Sequence, residues 1–317
     1  MDTNKKMYLN MFDQDQVIDI YKEVVNAHDL TIEEAVKILS SEFEVLGYRD
    51  RTIKDYNYHC ERFSRITGVE LINELNRDAL IKYISHGEVK NATRRVRLKT
   101  IRSVFNKFYK KGWITEPFWN DIRIKVDEPV KTGTTESDLI KLITSLDFND
   151  YIEYRDACIF ILMWENGIRL NTLSQLEYDM IDFENNLITY ESHIMKNHKE
   201  LTLPISRELS KMLLDLHRWT INKGLNSKRL FISTRDTNIP IHKSFSKRVS
   251  VYREKFNIYH INPHAVRRGF AKKLLDKDVP LPIISKALGH QTLATTTRYL
   301  HVDQEELIQA LRDCEKQ

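Results

Sequence analysis

Six side chains in the C-terminal half are of the types that phosphate chemistry uses. They are Arg169 in "NGIRLNTL", Lys196 in "IMKNHKEL", His264 and Arg267 in "NPHAVRRGF", His290 in "ALGHQ" and Tyr299 in "TTTRYLHV". A tyrosine hydroxyl is a poor nucleophile by itself. To attack a phosphodiester it needs the phosphate charge neutralised, an acceptor for its own proton and a donor for the leaving oxygen. Arginine suits the first task, because its planar fork grips two phosphate oxygens and stays charged. Metals often fill that role instead, but the sequence shows no convincing carboxylate cluster and no His/Cys ligand spacing. Taken singly, each residue is ordinary. An HxxR pair is usually a surface helix pair, a lysine in a hairpin turn is usually solvated, and a tyrosine on a helix usually packs. Order and spacing lend them weight together: Tyr299 follows His290 by nine residues, and His264 and Arg267 share a face if they lie on a helix.

Those residues need elements to hold them. "YRDACIFILMWENGIRL" is apolar enough for a buried central helix that ends at Gly167, placing Arg169 between two helices. "NLITYESHI" and "ELTLPIS" flank "MKNHK", which predicts a small antiparallel sheet with Lys196 and Lys199 at its turn. Helices return from about Ser206. Upstream, Thr135 with Asp138 resembles a capping box that opens the helix "LIKLITSL". "VDEPVKTGTTESD" carries Pro129 and Gly133 and no apolar stripe, so it reads as a linker. The expected division is an N-terminal helical extension over 1–29, a helical domain over 30–126, a linker over 127–135 and a second domain over 136–317. The fold class is mainly α with a small antiparallel β-sheet.

The helical domain reads as successive helices. Leu39, Phe43 and Leu46 recur at helical spacing before Gly47, and later helices stop at Gly68 and Gly87. "KNATRRVRLKTIRSVFNKFYKKGW" is the most telling. Between Lys90 and Lys111 it has nine Lys or Arg and no acid. Leu98, Ile101, Phe105 and Phe108 share one face, with Arg95, Lys99, Arg102, Lys107, Lys110 and Lys111 mostly opposite. A solvated helix usually mixes signs to gain i,i+4 pairs. A face of one sign repels itself unless phosphates neutralise it.

The chain has 317 residues, 41% of them hydrophobic and 30% charged, enough to fold as two domains. Cys60, Cys158 and Cys314 make no CxxC pair and no disulfide framework, which fits a reducing compartment. The sequence has no signal-peptide pattern and no apolar run near the roughly eighteen residues of a membrane span. A cytoplasmic protein is expected, with no membrane partner. The net charge of +4 permits a nucleic-acid partner without demanding one.

In this order the residues resemble the tyrosine recombinase (phage integrase) family. Its signature is an arginine after a Gly-apolar pair, a hairpin lysine, HxxR, LGH, and a tyrosine nine residues after that last histidine. Here these are "GIR" at Arg169, Lys196 in "MKNHK", "HAVR" at His264 and Arg267, "LGH" at His290, and Tyr299. The resemblance spans the whole second domain. The basic helical bundle before it resembles the family's core-binding domain less specifically. It implies that Tyr299 attacks the scissile phosphate to form a 3′-phosphotyrosyl bond and release a 5′-hydroxyl. Arg169 and Arg267 would clamp the nonbridging oxygens and His290 would hydrogen-bond the phosphate. Lys196 would protonate the leaving oxygen, and His264 would help move the tyrosine proton. No metal or other cofactor is implied.

The implied partner is double-stranded DNA, with nucleoid association when bound. Arg94, Arg95, Arg97, Lys99, Arg102, Lys107, Lys110 and Lys111 are expected to contact it, together with Lys243, Lys247 and Arg248 of the second domain. A homo-oligomer, dimer or tetramer, is expected on DNA, docked through the tail "QEELIQALRDCEKQ", where Leu307, Ile308 and Leu311 share a face. The sequence departs from the family pattern at Thr172, commonly Glu, at "MKNHKEL", which lacks the usual glycines, and at Arg268, often His. Two functions fit: a site-specific recombinase integrating or excising a phage or mobile element, and a catalytically silent regulator, such as a repressor, on the same fold.

Overall fold

The computed structural model describes residues 30–127, 132–225, 227–290, 292 and 296. The expected N-terminal extension, Tyr299, Cys314 and the C-terminal tail lie outside the described residues. The chain divides into two compact units, Met1–Glu128 and Pro129–Gln317.

The first unit is helical. Helix α1 (Ile32–Val45) starts at Thr31, whose hydroxyl accepts the Glu34 N–H while the Glu34 carboxylate accepts the Thr31 N–H. This reciprocal box satisfies two donors that a helix start leaves open. Leu39 and Phe43 are buried as their spacing predicts, but Leu46 is 59% exposed. The helix ends at Val45, so the i+3 relation no longer carries Leu46 to the same face. Helix α2 (Asp50–Thr67) stops at Gly68, whose φ of 80° suits glycine. Helix α3 (Arg77–Ser85) is capped by Asn76. Helix α4 (Asn91–Lys110) buries Leu98, Ile101, Phe105 and Phe108. Phe105 lies 5.6 Å from Phe63 and 5.5 Å from Trp119, ring centre to ring centre. Each such ring contributes about 1.5–3 kcal/mol by leaving water.

The second unit is built around helix α6 (Tyr151–Asn166), preceded by α5 (Glu136–Ser145). Thr135 caps α5 by accepting the Asp138 N–H at 3.1 Å. Ten residues of α6 are buried, and Gly167 ends the helix at φ 60°. A one-turn helix α7 (Leu170–Leu173) follows, then strands β1 (Ile181–Asp182), β2 (Leu187–Tyr190) and β3 (Leu201–Pro204). They form an antiparallel sheet in the order β1-β2-β3, with Ile188 opposite both Ile181 and Leu203. Tyr190 donates to Asn166 Oδ1 and Asn166 Nδ2 donates to the Pro204 carbonyl, both at 2.8 Å, which ties two strands to the end of α6.

Four further helices follow among the described residues: α8 (Arg207–Asn222), α9 (His242–Phe256), α10 (Pro263–Leu275) and α11 (Leu281–Ala287). Helices α8 and α10 pack on α6. Residues 132–134, expected in the linker, are held along α10. Thr134 N–H donates to the Ala265 carbonyl at 2.9 Å, and Arg268 Nε donates to the Thr132 carbonyl at 3.0 Å. The approach is close because both backbones carry glycine: a Cβ on Gly269 would overlap the Thr134 carbonyl and the Trp164 ring.

Candidate active site and basic surface

Arg267 lies in the first half of α10 and is 1% exposed. Burying a guanidinium costs several kcal/mol unless its donors are used. Here Nη1 donates to the Gly167 carbonyl at 2.6 Å, and Nη2 donates to the Leu288 carbonyl at 2.7 Å. Gly167 caps the C-terminal end of α6 and Leu288 that of α11. Carbonyls at helix C-termini lack intrahelical partners and sit at the negative end of the helix dipole. The same Nη2 faces His290 Nε2 at 2.8 Å.

His290 follows Gly289, whose φ is 60°. Its N–H donates to the Ser285 carbonyl at 3.0 Å, and its Nδ1 lies 2.9 Å from Thr296 Oγ1. Burial, then the charges of Arg267 and Arg169, push its pKa down to about 4. Arg169, half-buried, immediately precedes α7. Thus Arg169 and Arg267, from two separate stretches of chain, bring two positive charges to a neutral His290 from a third.

Lys196 is exposed in the β2–β3 turn. Thr172 and Asn197 hold that turn from either side. Thr172, buried where the family commonly has Glu, donates to the Ile194 carbonyl at 3.3 Å, which joins α7 to the turn. Asn197 Nδ2 donates to the Gly289 carbonyl at 3.5 Å, which joins the turn to the His290 segment. A cleft of about 390 Å³ runs beside them, lined in part by Asn197, Lys199, Ser285, Lys286 and His290. His264 shares α10 with Arg267 but is exposed at its N-terminal turn. The sequence reading missed Thr296, Asn197 and the tethering role of Thr172. Only the threonine run before Tyr299 could have drawn attention to Thr296.

The basic face of α4 is narrower than its pattern predicts. Arg97, expected at DNA, is 3% exposed. Its Nη1 donates to the carbonyls of Ile84 and His86 at 3.2 and 2.7 Å, satisfying the end of α3. Arg102 donates through Nη2 to the carbonyls of Trp119 and Ile122, both at 2.7 Å. Lys107 lies 4.4 Å above the Phe43 ring, and Lys111 pairs with Glu42 at 2.5 Å. Arg94 is half-buried and donates to Asn91 Oδ1. Arg95, Lys99 and Lys110 remain exposed.

In the second unit Lys243 and Lys247 are exposed on α9. Arg248 is turned inward, where Nε and Nη2 donate to the fully buried Asp156 at 2.5 and 2.8 Å. Asp156 also accepts from Arg155 and from the Tyr252 hydroxyl. Arg97 and Arg248 are therefore structural cations, each spent on a neighbour inside its own unit.

Among the described residues no helix is long and apolar enough to cross a membrane. The fold is that of a DNA breaking-rejoining enzyme of the tyrosine recombinase class. Residues 134–306 match the phage integrase family, and the chain belongs to it. It is similar to tyrosine recombinase XerC of Thermodesulfovibrio yellowstonii, 28% identical over 274 residues that cover 83% of this chain and 89% of that protein. The fold is shared with the Tn1549 transposon integrase in complex with transposon right end DNA: TM-score 0.65 at 15% identity, covering 90% of this chain and 99% of that one. A lambda integrase tetramer bound to a Holliday junction matches with TM-score 0.64 at 14% identity, over 87% and 79% of the two chains.

Proposed function

We infer that this chain is a working site-specific recombinase that integrates or excises a phage or mobile element. One observation carries the reading: the positive Arg169 and Arg267 converge on the neutral His290 beside the turn that bears Lys196. A phosphate is the ligand that such a group suits, since it offers oxygens to two planar forks. In the reaction, the Tyr299 hydroxyl oxygen forms a bond to phosphorus and the bond from phosphorus to the 5′-oxygen breaks. Arg169 and Arg267 hold the nonbridging oxygens, His290 steadies the Arg267 fork through its Nε2, His264 takes part in removing the tyrosine proton, and Lys196 supplies the proton to the 5′-oxygen. Attack by a 5′-hydroxyl on the phosphotyrosine reverses each transfer and rejoins the strand.

Duplex DNA lies against Arg95, Lys99 and Lys110 in the first unit and Lys243 and Lys247 in the second. Support comes from their exposure and from the DNA named in the structures of the transposon and lambda integrases. The lambda tetramer supports assembly into an oligomer, which we assign to the tail after Tyr299. The domain limits proposed are 30–126 and 136–317.

The test is incubation with nicked duplexes drawn from DNA flanking the protein's own gene. A covalent adduct that survives denaturation, and is absent with Tyr299→Phe, is the expected result. Tight, sequence-specific binding without an adduct would replace this reading with that of a regulator.

A further inference from the structure

The His290 ring stands between two partners. Nε2 faces Arg267 Nη2 at 2.8 Å, and Nδ1 faces Thr296 Oγ1 at 2.9 Å. A guanidinium nitrogen is only ever a donor, so Nε2 accepts. The single proton of the neutral ring is then on Nδ1, and it is donated to the Thr296 hydroxyl oxygen. Thr296 is fully buried, so water cannot readily replace that bond. It also stands three residues before Tyr299. The hydroxyl that holds the ring thus belongs to the short stretch that carries the nucleophile, and the ring it holds touches the arginine clamp. A valine would fill the same space; only the hydrogen bond requires the oxygen.

We propose that Thr296 is a positioning residue for strand cleavage: its hydroxyl fixes the His290 ring against Arg267, a member of the phosphate clamp. This rests on the recombinase reading of the site. Other partners of a buried histidine can fix a tautomer, but none would link it directly to the nucleophile's own stretch of chain. The bond therefore transmits position in both directions. A shift of Thr296 disturbs the ring, and a shift of the ring disturbs a donor of the Arg267 fork.

The experiment compares the full chain with Thr296→Val and Thr296→Ser. Nitrogen-15 NMR of the DNA-free protein reads His290 directly. Wild type and Thr296→Ser should show a slowly exchanging imidazole proton on Nδ1, and Thr296→Val should lose it. On a saturating nicked duplex, Thr296→Val should form the covalent adduct roughly three- to tenfold more slowly, the effect of one hydrogen bond. Its affinity for the duplex should be unchanged, and Thr296→Ser should cut near the wild-type rate. Retention of both the protected proton and the rate in Thr296→Val overturns the proposal. So does a serine variant as slow as the valine variant, because shape rather than the hydroxyl would then be what counts. If no protein forms an adduct, wild type included, the recombinase reading falls; the protected proton then decides the Thr296 contact by itself, and its survival in the valine variant overturns the contact.

Discussion

Arg267 is the residue on which most of the site depends. Its guanidinium serves two helix ends and a histidine at once. A lysine is a point charge that cannot span those directions. We expect Arg267→Lys to reduce adduct formation at least about 100-fold, as loss of a preorganised anion donor does, with single-turnover cleavage as the measurement. Arg267→Ala should also lower stability by about 2–4 kcal/mol, since it strands two buried carbonyls; denaturant titration checks it. His290 gives a pH prediction. Its pKa falls from the ordinary 6.5 to about 4 in the fold. The folded state therefore binds this proton less readily than the unfolded chain. The stability due to the neutral ring is complete above about pH 6.5 and is lost as pH falls toward about 4. Between pH 7 and pH 4.5, wild type should lose more stability than His290→Gln; equal losses would show that the ring is not buried against its arginines.

At the scale of elements, α4 and α10 make separable predictions. The sequence showed α4 as a helix with an apolar face and a one-signed polar face, and the structure has both. It did not show that Arg97 reaches the open carbonyls of α3 or that Lys111 reaches Glu42, because helical spacing gives a direction and not a neighbour. Arg95→Ala with Lys99→Ala should weaken binding to all duplexes and reduce the salt slope by about 1–2. Arg97→Ala should leave that slope unchanged and lower stability by about 1–3 kcal/mol, as an unsatisfied helix end does. Binding titrations across salt concentrations and unfolding curves separate the two. On α10, Gly269→Ala places a Cβ into the Thr134 carbonyl and the Trp164 ring. Overpacking of this kind costs about 1–3 kcal/mol, and the melting temperature should fall accordingly.

At the scale of the whole molecule, each unit has its own apolar core, so each holds its own functional side chains in place. Oligomerisation belongs to this scale. Deleting residues 303–317 should leave duplex binding near wild type and abolish the higher-order complex on DNA, as read by sedimentation. A truncated chain that still assembles would move the interface elsewhere.

Local chemistry alone determined the helix ends at Thr31, Gly68, Thr135 and Gly167, because caps and left-handed glycines act within a few residues. Spacing also determined the order of Arg169, Lys196, His264, Arg267, His290 and Tyr299, and with it the family. Tertiary structure alone decided which arginines of the basic pattern stay exposed and which are turned to partners within their own unit. It turned Arg97 and Arg248 inward, placed Arg267 between two helix ends and set Thr296 against His290. The reason is physical. An arginine's long stem lets its charge satisfy carbonyls or a carboxylate far away in the chain, and only the packed fold brings those partners within 3 Å.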